Sequence, residues 1–93
     1  MLSLVKYIVK DEVVMPADAR ILTTMAERVY ACIWAEVEST SEKVVRTFKI
    51  FGNGHEIEIP KSSKLYEKYY YEYVGSCIDD EQNAKFVYER KLK

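Results

Sequence analysis

This chain predicts an all-β fold of about six antiparallel strands, and three observations carry that prediction. The first is alternation. From Val29 to Val37 the odd positions are Val29, Ala31, Ile33, Ala35 and Val37, while the even ones are Tyr30, Cys32, Trp34 and Glu36. A period of two places the odd side chains on one face of a pleated strand. The second is Asn53-Gly54 between two apolar-rich runs, a hairpin signal because both residue types tolerate positive φ. The third is composition: eight tyrosines, together with Val, Ile, Phe and Thr, favour a half-buried pleated surface over a helix.

The elements follow in chain order. Residues 2–15 read as one long strand, bent near Asp11-Glu12, and Met15-Pro16-Ala17-Asp18 as a turn. Arg20 to Met25 reads as a short strand. A helix over residues 17–28 is the alternative there, but Thr23-Thr24 and the onset of the next run at Val29 argue for the strand. After the strand at 29–37, Val44 to Phe51 places Val44, Phe48 and Ile50 on one face, with Arg46 as its single charged member. His55 to Ile59 is a short strand that Pro60 ends by removing a ladder donor. Residues 61–67 are a loop or one helical turn. Tyr69 to Ile78 is a strand, Asp79-Asp80-Glu81-Gln82-Asn83 a polar turn, and Phe86-Val87-Tyr88 opens a last strand that runs into a basic tail. Consecutive pairing gives a curled meander or a small barrel.

Composition narrows function mainly by exclusion. The 93 residues suit one domain, 1–93. Basic and acidic residues, 14 and 15, nearly cancel to a net charge of −1, so no basic excess draws the chain to nucleic acid or to anionic lipid. No apolar run approaches the ~20 residues of a membrane helix, and the start has no signal-peptide layout, so a cytoplasmic location is expected. Cys32 and Cys77 form neither a CxxC nor a metal pair and read as small buried hydrophobes. His55 is the single histidine, too few for an ordinary zinc site or a nucleophile–base–orienter triad. No cofactor motif is present. The acids at 79–81 read as solvated turn residues rather than a cation site.

Two groups of residues stand out as candidate sites. Five tyrosines fall within residues 65–73, and alternation puts Tyr69, Tyr71 and Tyr73 on one face of a strand, with Tyr70 and Glu72 on the other. A domain this small cannot bury both faces, so some rings are exposed. Tyrosine supplies rigid amphipathic contact area, so Tyr66, Tyr69, Tyr71, Tyr73 and Glu72 are the candidate surface for a protein partner. The second group is Gly52, Asn53, Gly54 and His55, with Trp34: a tight turn by the plain reading, an amide nest for a nucleotide or other anion by the functional one.

Four blocks carry a resemblance. Met15-Pro16-Ala17-Asp18-Ala19-Arg20-Ile21-Leu22, Cys32-Ile33-Trp34-Ala35-Glu36-Val37, Arg46-Thr47-Phe48-Lys49-Ile50-Phe51-Gly52-Asn53-Gly54-His55-Glu56-Ile57 and Tyr73-Val74-Gly75 occur in this order. They resemble a family of small proteins encoded by bacteriophages and prophages, whose members read approximately P-x-G/A-A-x-I-L, C-L-W-A-L-V, R-x-F-x-x-x-G-T-G-H-x-I and Y-I-G-T. This chain has Asn53 where the family usually has Thr, a longer tyrosine-rich stretch over residues 60–72, and Tyr88-Glu89-Arg90 where the family tends to end in His-Phe-Glu. The resemblance implies a phage or prophage origin and a life in the cytoplasm of a host bacterium. It supplies no activity, since the family is of unknown function.

The expected role is therefore non-catalytic: a phage accessory protein that binds and modulates a host protein, anti-defence inhibition included. Sequestration of a small nucleotide or anion is the first alternative, and a hydrolase using His55 the second. A homo-oligomer formed by pairing sheet edges is also expected of a small curled sheet.

Overall fold

In the computed structural model, residues 1–52, 54 and 68–92 are described. They form seven strands: β1 (Leu2–Ile8), β2 (Glu12–Pro16), β3 (Arg20–Glu27), β4 (Tyr30–Glu38), β5 (Lys43–Gly52), β6 (Tyr69–Ile78) and β7 (Ala84–Leu92). All pairing is antiparallel. The expected strand His55–Ile59 and the loop or helical turn at 61–67 lie outside the described residues.

The all-β class holds, but the strands form neither a meander nor a closed barrel. They make a three-stranded sheet of order β1-β4-β3 and a four-stranded sheet of order β2-β5-β7-β6. The long strand expected over residues 2–15 is in fact two, one in each sheet. The Val9 N–H still donates to the Ala31 carbonyl at the end of β4, whereas the Asp11 carbonyl accepts from the Phe48 N–H of β5. The ladder thus changes partner within three residues, and the chain steps from one sheet to the other. The last strand continues through the residues read as a basic tail.

Alternation in β4 is as the sequence predicts. Ala31, Ile33, Ala35 and Val37 are buried, and they meet Val13 and Met15 of β2, Phe48 of β5 and Val87 of β7 in one core shared by the two sheets. Cys32, on the opposite face, is buried as well. Its register partners are Ile8 on β1 and Met25 on β3, which flank it on the outer face.

The sheets approach each other most closely where β3 meets β6. Gly75 carries no side chain there, and a Cβ would lie 2.6 Å from Thr24 Oγ1 and 2.8 Å from its Cγ2. The same hydroxyl donates to the Ser76 carbonyl at 2.8 Å. Gly75→Ala is therefore expected to destabilise by about 1–3 kcal/mol in thermal or urea unfolding, because Thr24 must turn away and lose its bond. Combining it with Thr24→Ala should give less than the sum of the two single losses.

The turns between paired strands are tied together. Arg28 adopts a positive φ of 57° in the β3–β4 turn, and its carbonyl accepts from the Asp80 N–H of the β6–β7 turn at 2.9 Å. Asp79 corrects the reading of a wholly solvated acidic turn. It is 3% exposed, and its Oδ1 accepts from the N–H groups of Glu81 and Asn83, both at 2.9 Å. The backbone N–H of Asn83 leads the interactions that hold its carboxyl below the ordinary aspartate range. Asp80 and Glu81 are exposed as expected.

Candidate functional site

The tyrosine-rich strand β6 lies at the edge of the four-stranded sheet, paired with β7. Register places Tyr73 opposite Tyr88, Tyr71 opposite Arg90 and Tyr69 opposite Leu92. Tyr69, Tyr71, Tyr73, Tyr88 and Arg90 therefore share the outer face, which carries no second sheet among the described residues. Phe51 of β5 joins them, edge-on to Tyr71 (centroids 6.4 Å apart, planes at 89°) and to Tyr88 (5.5 Å, 85°). Tyr73 meets Tyr88 at 5.5 Å and 66°. The Arg90 guanidinium lies 4.3 Å from the centre of the Tyr69 ring. Such offset contacts fix the rings relative to one another. Tyr73 remains 53% exposed.

A bulge ends the array. Register shifts between Tyr73 and Gly75, so Gly75 faces Val87 and Cys77 faces Lys85. The extra residue reverses the alternation. Tyr69, Tyr71 and Tyr73 point out, while Val74 and Cys77 pack against the core.

The opposite face of β6 and β7 carries charge. Glu72 and Glu89 are direct cross-strand neighbours, an unfavourable pairing of like charges. Each takes its own cation. Arg46 clasps Glu89 through Nε at 2.6 Å and Nη2 at 2.8 Å, and its Nη1 donates to the Ala19 carbonyl at 2.7 Å. Lys91 pairs with Glu72 at 2.8 Å, and the hydrogen bond to that carboxylate raises the Lys91 pKa above the ordinary lysine value. These four side chains, with Arg20 and Tyr73, line an open cleft of about 310 Å³ between β3 and β6.

The structure thus brings Tyr69, Tyr71 and Tyr73 together and sets Glu72 apart from them, on the other face. Tyr66 lies outside the described residues. Phe51, Tyr88 and Arg90 complete the array and were not among the residues singled out from sequence, because cross-strand register decides their place. Arg46 did carry a signal: it is the one charged residue on the core-facing side of β5.

Of the second group, Asn53 and His55 lie outside the described residues. Gly54 has a φ of 81°, the left-handed conformation expected of a turn glycine. Gly52 ends β5 and lines a second open cleft with Asn83 and Lys85. Trp34 is half-buried on the outer face of the other sheet, where its indole N–H donates to Met25 Sδ at 2.9 Å. Cys32 and Cys77 are free thiols, and burial raises the pKa of both. Among the described residues no group of His, Cys, Asp and Glu is arranged to hold a metal ion, and no helix is long and apolar enough to cross a membrane.

No curated protein and no solved structure matches the chain. The sequence profile of one family, described as a domain of unknown function (DUF7352), matches residues 3–93.

Proposed function

We propose, on the premise that this chain belongs to the DUF7352 family of unknown function, that it is a non-catalytic binding protein whose outer tyrosine face engages a protein of a bacterial host. The observation that carries this reading is the array of Tyr69, Tyr71, Tyr73 and Tyr88 braced by Phe51 and Arg90, with its most accessible ring at Tyr73. Rings held by one another lose little freedom on binding, and tyrosine and arginine are enriched where interfaces concentrate their energy. The four sequence blocks resembling phage and prophage proteins support action in the cytoplasm of a bacterial host, and the accessory, anti-defence role is proposed for that setting.

Affinity capture from bacterial lysate tests the proposal, with the intact chain and Tyr73→Ser as paired baits. A stoichiometric host protein should be retained by the intact chain and lose at least about tenfold in affinity with Tyr73→Ser, while the melting temperature stays nearly unchanged. Equal retention by both baits would remove the tyrosine face as the contact surface.

A second reading, capture of a small nucleotide or anion, draws support from Lys85 and Asn83 standing beside Gly52 in an open cleft. A nucleotide panel that raises the melting temperature of the intact chain, but not of His55→Ala, would favour it.

A further inference from the structure

Among the described residues, the four sheet edges differ in how they are protected. An exposed strand edge offers unpaired N–H and C=O groups to another chain, and proteins normally blunt it with charge, proline, bulges, brevity or cover. β2 is five residues long, begins at Glu12 and ends at Pro16. β3 has a bulge between Ile21 and Thr23, and β6 has one between Tyr73 and Gly75. Those two edges also lie against each other through Thr24 and Ser76. β1, Leu2–Ile8, has seven residues in unbroken register with β4 and contains no proline. Its single charge, Lys6, is neutralised by Glu27 of the same chain.

The direction of the free backbone groups can be read from the ladder. Val9 donates to Ala31, and the Met1 carbonyl accepts from Ser39. Hydrogen-bonded pairs alternate along an antiparallel ladder, so Ser3, Val5 and Tyr7 also bond toward β4. Leu2, Leu4, Lys6 and Ile8 therefore turn their N–H and C=O groups away from the sheet. On the outer face their side chains leave Leu2 61%, Leu4 64% and Ile8 45% exposed.

We propose that β1 pairs with β1 of a second copy of this chain across a two-fold axis at Val5, making one continuous sheet from the two three-stranded ones. In that register Leu2 faces the partner's Ile8 and Leu4 faces the partner's Lys6, and all four are residues with outward backbone groups on both strands. Every outward donor thus meets an outward acceptor. No like charges stand opposite, the single cation on each strand faces a leucine, and the uncovered Leu2 and Ile8 cover one another. A second copy fits because the strand is complementary to itself. The proposal does not depend on the tyrosine face, which lies on the other sheet.

Sedimentation or light scattering of the intact chain should show a dimer. Leu4→Lys sets two cations face to face and should weaken it at least about tenfold, whereas Leu4→Glu places an acid opposite the partner's Lys6 and should preserve or tighten it. In a Cys77→Ala background, Val5→Cys should form an intermolecular disulfide under mild oxidation, because Val5 meets its own copy in a close non-hydrogen-bonded pair about 4.5 Å apart at Cα. Ile8→Cys should not. A monomer at the highest soluble concentration overturns the proposal, as does equal dissociation by both Leu4 variants with unchanged melts. Cross-linking by Ile8→Cys as readily as by Val5→Cys overturns the register. If Leu4→Lys does not fold, the two cysteine variants decide.

Discussion

Replacing Glu89 by alanine is expected to remove roughly 3–5 kcal/mol of stability in urea unfolding, the loss typical of breaking a buried ion pair from one side. The side chains of Arg46 and Glu89 are only 14% and 7% exposed, so water entering from the adjoining cleft replaces the missing partner incompletely. With the carboxylate gone, the guanidinium keeps the Ala19 carbonyl and loses both bonds to Glu89. The loss reflects a stranded charge, and a paired replacement isolates that cause. Arg46→Met together with Glu89→Leu leaves no buried charge at this position. It should destabilise less than Glu89→Ala alone, with a remaining deficit of about 1–3 kcal/mol from the Ala19 carbonyl that Arg46 no longer satisfies. A loss below about 1 kcal/mol for Glu89→Ala would mean that the pair is solvated in solution.

Phe48→Ala is expected to remove about 3–5 kcal/mol, through lost burial and the cavity left behind. Phe48 is the largest of the fully buried side chains, and it stands between the inner faces of both sheets. A chain of this size has only about 5–14 kcal/mol in total, so the variant retains a small remainder and its melting temperature falls steeply. Tyr73→Ser is the control. It also removes a ring, but one from the exposed outer face, and it should leave the melt close to that of the intact chain. Similar losses from the two variants would mean that the outer aromatic array is a second core rather than an accessible surface.

The period of two was legible wherever one face of a strand is covered throughout. It located β4 to within a residue at each end and put Ala31, Ile33, Ala35 and Val37 inside. It also separated Tyr69, Tyr71 and Tyr73 from Tyr70 and Glu72, because Cβ direction alternates along any strand whatever its neighbours are. Arg46 was visible as the lone charge on an apolar face. Its partner was not, since Glu89 lies far along the chain and only the pairing of β5 with β7 brings them together.

Local sequence therefore determined the element type, the inward face of β4 and the outward tyrosines, all of which depend on backbone geometry and side-chain direction within a few residues. Tertiary structure alone decided that residues 2–15 divide between two sheets, that Asp79 is buried beneath its own turn, and that Phe51, Tyr88 and Arg90 complete the aromatic face. Those outcomes depend on which strands become neighbours. Neighbours are chosen by the burial of one shared core over long sequence separations, a collective balance that no short window of residues contains.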